Sequence, residues 1–243
     1  MGYPVVHFEI NGSDGAALAQ FYGELFGWKT EEYQGSGYHV VETQAGEGIN
    51  GGIGTAGEGT SPGVTFYVAT PDLQATLDRA QALGGAAAAP IVEMEMVTFA
   101  ALTDPEGNRI GIVGPGEGPG VSNGDGRPVG WWEVLGAEPG KLRDFYTELF
   151  EWTVSSSITE AFEYHLIDTG AGGQGINGGI GSSPDGEPHV NVYAGVDDVQ
   201  KYCERAESLG AKVVMQPTKV AENTTVALFL DPQGNTFGLF EGM

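Results

Sequence analysis

Apolar and polar positions alternate over Val5–Ile10, then change to helical spacing across about Gly15–Phe26, where Leu18, Phe21, Tyr22, Leu25 and Phe26 share one side. Three short strand-like runs follow and end in Gly48–Gly54 (GINGGIG). The same order then recurs. A strand is predicted over Val64–Ala69 and a helix over about Leu73–Leu83, with strands around Ala87–Val92, Thr98–Thr103 and Arg109–Val113. Ser13 or Asp14 and Asp72 stand where a helix N-cap is needed, and Gly84-Gly85 and Gly210 stand where a left-handed residue ends one. Each block reads as a βαβββ module.

The two blocks form one half of a longer duplication. Pro4–Ile10 (PVVHFEI) matches Pro128–Val134 (PVGWWEV), and Phe21–Trp28 (FYGELFGW) matches Phe145–Trp152 (FYTELFEW). GINGGIG returns at Gly175–Gly181, and Asp104–Asn108 (DPEGN) returns as Asp231–Asn235 (DPQGN). Helices are expected near Lys141–Phe150 and Val199–Leu209. Between the copies, Pro115–Arg127 (PGEGPGVSNGDGR) is nearly free of apolar residues and reads as a linker. The expected architecture is α+β: four βαβββ modules paired into two open curved barrels. The domains are 1–114 and 128–243, joined by the linker 115–127.

Composition narrows the partners. The formal charge of −23 arises because 33 acidic residues face only ten Lys and Arg. Such a surface repels phosphate backbones and anionic headgroups, so neither nucleic acid nor membrane is an expected partner. No segment approaches a membrane span, and the expected location is the cytoplasm. A single cysteine, Cys203 on the last predicted helix, excludes an intrachain disulfide and reads as a small buried hydrophobe. The GINGGIG runs open no helix and carry no GK[ST], so they are not phosphate loops.

The paired modules, the FYxxLFGW helix ends and the DPxGN turns before the last strands resemble the vicinal oxygen chelate superfamily of glyoxalases, extradiol dioxygenases and bleomycin-resistance proteins. The resemblance covers nearly the whole chain outside the linker. It implies the fold, while the chemistry stays open, because that superfamily holds both metalloenzymes and metal-free binders. In its metalloenzymes, first strands supply His, Gln or Glu and last strands supply a Glu, usually seven residues after the Asp of the DPxGN turn. Counting from Asp104 and Asp231 reaches Gly111 and Gly238, which have no side chain to coordinate an ion. Glu241 lies an odd number of residues beyond Gly238 and should face the other side of its strand, as a solvated residue. One first-strand histidine remains in each half, His7 and His189. Neither half supplies three ligands, so no metal and no cofactor are expected.

The inward positions still offer chemistry. His7 and Glu9 share one face of the first strand, as do Trp131 and Glu133 on its counterpart, and His189, Asn191 and Tyr193 share a face further on. These seven are the candidate ligand-binding residues, with Glu133 and His189 as candidate catalytic groups. Trp131 or Trp132 could stack a planar ligand, one facing inward and the other a helix. His39 and His165, repeated in the third strands, suggest a fold role. The expected function is metal-independent binding or sequestration of an organic small molecule. The alternatives are a metal-free lyase or isomerase using Glu133 with His189, or His7 with Glu9, and then a metal-dependent glyoxalase or dioxygenase. The oligomeric state is left open.

Overall fold

The computed structural model describes residues 2–57, 62–95, 97–115, 124–158, 163–170 and 172–242. Residues 116–123 of the expected linker lie outside the described residues. All four modules are present. The first comprises β1 (Val5–Gly12), α1 (Gly15–Phe26), β2 (Lys29–Glu32), β3 (His39–Glu42) and β4 (Gly51–Thr55). The second comprises β5 (Gly63–Ala69), α2 (Leu73–Ala82), β6 (Ala86–Glu93), β7 (Thr98–Thr103) and β8 (Arg109–Val113). The third comprises β9 (Val129–Gly136), α3 (Pro139–Phe150), β10 (Thr153–Ile158), β11 (Tyr164–Asp168) and β12 (Gly178–Ser182). The fourth comprises β13 (His189–Gly195), α4 (Val199–Ser208), β14 (Lys212–Lys219), β15 (Thr225–Leu230) and β16 (Thr236–Glu241).

The helix starts follow from local chemistry. The carboxylates of Asp14, Asp72 and Asp198 accept from the backbone N–H groups of Ala17, Ala75 and Lys201 at 2.9, 3.0 and 2.9 Å. Helix α3 has no such cap. It opens instead on Pro139, two residues earlier than expected, because a first-turn position needs no N–H. Helix α1 stops at Gly27, whose φ of 75° is in the left-handed region.

The strands make two open eight-stranded mixed sheets, ordered β2-β3-β4-β1-β5-β8-β7-β6 and β10-β11-β12-β9-β13-β16-β15-β14. In every module the first and last strands run parallel, and residues of one oppose residues of the other: Glu9 opposite Gly52, Tyr67 opposite Gly111, Glu133 opposite Gly179, and Tyr193 opposite Gly238. A side chain on a first strand therefore meets whatever the last strand presents, and here it meets glycine.

By contacts the chain forms two compact units, each built from one module of either half. One unit holds the described residues among 65–115 and 131–190, with residues 2–7. Its core is aromatic: Trp132 lies 4.9 Å from both Phe66 and Trp152, centroid to centroid, and Tyr146 stacks on Trp152. The other unit holds the described residues among 8–64, 124–130 and 191–242. There Tyr22 stacks on Trp28, and Phe26 stacks on Tyr202 and packs against Phe237. The aromatic helix ends FYGELFGW and FYTELFEW are thus packing devices, one per unit. In each, a buried tyrosine of that helix end also reaches the DPxGN aspartate: Tyr146 donates to Asp104 at 3.0 Å, and Tyr22 to Asp231 at 3.2 Å.

Candidate functional site

Period-two alternation sorts the side chains of β9. Trp132 and Val134 are fully buried and Trp132 packs on Trp152, so that face is the helix side. Trp131 and Glu133 project from the opposite, open face and are half-buried. Tyr164 joins them from β11. It is paired with Gly181, while Leu166 is paired with Gly179. A Cβ at Gly179 or Gly181 would come within 3.0 Å of the Tyr164 side chain, an approach real Cβ atoms do not make. The tyrosine ring therefore lies across two bare positions of β12 and delivers its hydroxyl to the next strand. That hydroxyl donates to Glu133 Oε1 at 2.7 Å and accepts from Trp131 Nε1 at 3.2 Å. The Tyr164 hydroxyl is held well above the ordinary phenol range, first by burial and then by the Glu133 charge and hydrogen bond.

The same device recurs in all four modules. A Cβ at Gly52 would collide with Tyr38, one at Gly111 with Tyr67, one at Gly179 with Tyr164, and one at Gly238 with Tyr193. Each last strand gives up a side chain, and a tyrosine ring takes the space. The sequence carried the signal, since YH recurs at Tyr38-His39 and Tyr164-His165 and tyrosine recurs at positions 67 and 193. His165 is buried toward the helices and bonds Glu163 at 2.8 Å.

The other candidates divide. In the first half, Glu9 Oε1 accepts from the Asn11 amide at 2.6 Å, and Asn11 is itself buried. His7 lies edge-on to Tyr67 with ring centroids 5.6 Å apart, and burial lowers its pKa to about 4. His189 turns away to the turn before β13, where its Nε2 lies 3.1 Å from Asp185 Oδ1. The exposed Asp185 carboxyl is lowered to about 2, chiefly by the Ser183 hydroxyl and the Glu187 amide, with a smaller share from His189. Asn191 is buried and its Oδ1 has no hydrogen-bond partner, while Tyr193 is buried over Gly238. Glu241 requires a correction. It is not a solvated residue: its Oε2 accepts the Val199 N–H at 3.0 Å and caps α4, a role only the helix side offers. Cys203 is buried, and its thiol is pushed up to about 11 by burial and two nearby glutamates.

An open groove of about 510 Å³ runs elsewhere, lined by Phe26, Glu42, Gln44, Arg127 and Tyr202 among others. Its one cation is already engaged. Arg127 donates to the Tyr202 hydroxyl at 2.8 Å and to Asp197 at 3.0 Å. Convergent polar groups with an aromatic neighbour occur instead at Trp131, Tyr164 and Glu133.

Residues 130–239 match the model of the glyoxalase/bleomycin resistance protein/dioxygenase superfamily, and residues 7–113 match that of a glyoxalase-like domain. The chain belongs to the vicinal oxygen chelate superfamily. It is 27% identical to "Putative glyoxylase CFP32" of Mycobacterium tuberculosis, over 96% of this chain and 92% of that protein. It is equally 27% identical to the anthracycline biosynthesis protein DnrV of Streptomyces peucetius, over 96% and 91%. Among solved structures, the Mn(II)-bound glyoxalase of Novosphingobium aromaticivorans aligns with a TM-score of 0.71 at 14% identity, covering 99% of this chain and 82% of that one. The 2,3-dioxygenase LapB of Pseudomonas sp. KL28 aligns with a TM-score of 0.71 at 15% identity, over 100% and 93%. These structures share the fold.

A divalent ion, the group this fold often carries, does not fit the residues present. The last-strand positions that would offer a carboxylate are glycines, and tyrosine rings occupy the space such a side chain would cross. Among the described residues, no three His, Cys, Asp or Glu side chains come together as a metal site. Among the same residues, no helix is long and apolar enough to cross a membrane.

Proposed function

We propose that the chain binds an organic small molecule on the open face of its sheets without using a metal ion, as a sequestering protein. The observation that carries this reading is the tyrosine laid over a last-strand glycine in all four modules. In three modules that pairing exchanges a metal carboxylate for a partly exposed ring, at Tyr38, Tyr67 and Tyr164, while the Tyr193 ring is buried. Burying aromatic area contributes roughly 25 cal/mol per Å² removed from water, so such a face suits an apolar, flat ligand. The name of the Streptomyces relative agrees, since anthracyclines are planar aromatic molecules. The test is the melting temperature of the protein against a panel of aromatic metabolites, with elemental analysis of protein purified without chelators. A ligand-dependent rise with no stoichiometric metal is expected. A divalent ion present at one per domain, or a panel without effect, would sink the proposal.

A second reading keeps Glu133 as an acid–base group, and the 2.7 Å bond from the Tyr164 hydroxyl favours it, because that bond holds the carboxylate in one orientation toward the open face. His189, bonded to Asp185, is the weaker half of the expected pair. Turnover of a bound ligand that Glu133→Gln abolishes without loss of affinity would establish this reading over sequestration.

A further inference from the structure

Asn191 is buried, and its Oδ1 has no hydrogen-bond partner among the described residues. A buried amide oxygen left unpaired destabilises the folded chain, so one that persists calls for a reason. Thr70 Oγ1 and Asn108 Oδ1 are also unpaired, but they lie just after β5 and in the DPEGN turn. Asn191 instead stands two residues before Tyr193 on β13, on the same open face as the ring that covers Gly238. Thr236, two residues before Gly238 on β16, shares that face by the same alternation. Leu228 and Leu230 of β15 are the register partners of Gly238 and Thr236. Both leucines and Thr236 are half-buried, whereas Ala227 and Phe229, on the other face of β15, are fully buried.

The second module closes the equivalent place internally. Tyr67 opposite Gly111 corresponds to Tyr193 opposite Gly238, which makes Thr65 the counterpart of Asn191. Thr65 Oγ1 donates to the Arg109 carbonyl at 2.8 Å, within its own module. Where the fourth module has Leu228 and Leu230, the second has Ala101 and Thr103.

We propose that Asn191 anchors a ligand in the fourth module, and that the ligand is an apolar molecule bearing a hydroxyl or N–H donor. This rests on the sequestration reading. The torsion that turns an asparagine amide is soft, so the oxygen can come round to an arriving donor. The leucines supply apolar contact, and the oxygen supplies the choice. A ligand without a donor leaves that oxygen as unpaired as before.

Titration calorimetry of the full chain with 2-naphthol, which donates, and 2-methoxynaphthalene, which does not, tests this. The wild type should bind 2-naphthol about tenfold more tightly. Asn191→Leu, and Asn191→Thr as in the second module, should bring 2-naphthol down to the level of 2-methoxynaphthalene and leave the latter unchanged. Asn191→Leu, close to asparagine in shape, should not lower the melting temperature of the free protein, because it removes the unpaired oxygen. Asn191→Thr keeps the test alive if Asn191→Leu fails to fold. Equal binding of the two probes by the wild type, a 2-naphthol affinity unchanged in Asn191→Thr, or loss of both probes in either variant would overturn the proposal and leave sequestration standing. If neither naphthalene binds, the proposal falls, and sequestration falls with it when the wider panel also leaves the melting temperature unmoved.

Discussion

The ring of Tyr193 lies over Gly238, its register partner on the neighbouring strand, and leaves no room there for even a methyl group. The same holds for Tyr67 over Gly111. Each pair is a unit: the glycine is useful because the tyrosine is there, and the tyrosine fits because the glycine is bare.

Restoring the family's carboxylate by Gly238→Glu should therefore destabilise the protein rather than create a metal site. Overpacking of this kind costs roughly 1–3 kcal/mol. Removing the ring in the double variant Gly238→Glu/Tyr193→Ala should recover part of that loss, giving a coupling well above the few tenths expected of independent sites. Urea titration of the two single variants and the double variant measures it. Additive losses would mean that Tyr193 does not own the space.

Much of this was legible in the chain, and the limits are instructive. The modules follow from the change between two-residue and helical periodicity, and the bare positions 111 and 238 follow from counting beyond the DPxGN turns. What fills the bare positions depends on which strands are neighbours, a matter of sheet order rather than local pattern. The same limit applies to the compact units. Nothing local says that Tyr146, in the third module, will bond Asp104, in the second. Parity turned Glu241 away from the Gly238 face but left it solvated, because its partner, the first amide of α4, is set by how the strand end meets the helix.

His7 gives a pH dependence. Its folded pKa, lowered to about 4 by burial, lies below the ordinary 6.5. Between those values the unfolded chain binds the proton and the folded chain does not, so stability falls as pH drops through that window. Above it His7 is neutral in both states and its contribution is complete. The loss is at most about 3 kcal/mol and smaller for a half-buried ring. His7→Gln should flatten the slope of unfolding free energy against pH between about 6.5 and 4; an unchanged slope would assign it to other groups.

If no divalent ion supports the fold or the site, exhaustive dialysis against a chelator should change neither the melting temperature nor the affinity for an aromatic probe. A structural metal contributes on the order of 10 kcal/mol of folding free energy, so its removal would be unmistakable in a thermal scan. A chelator-induced drop reversed by one added cation would reject the metal-free reading at once.

The buried Tyr146–Asp104 bond links a helix of the third module to a turn of the second, and its cost of removal should depend on pH. Asp104 accepts from the backbone amides of Glu106 and Asn108, from the Asn108 side chain and from the Tyr146 hydroxyl at 3.0 Å. Burial raises its pKa, and those hydrogen bonds pull it back down because they favour the ionised form. With the folded pKa above the unfolded one, the contribution of Asp104 is full in acid and declines as pH rises through the folded value. Tyr146→Phe removes one of the bonds that limit that decline. The variant should lose about 1.5–3 kcal/mol near neutral pH, where the carboxylate is charged, and less in acid, where it is not. Unfolding free energies of wild type and Tyr146→Phe across this range decide it. A loss that is constant with pH would mean that the hydroxyl acts by packing alone.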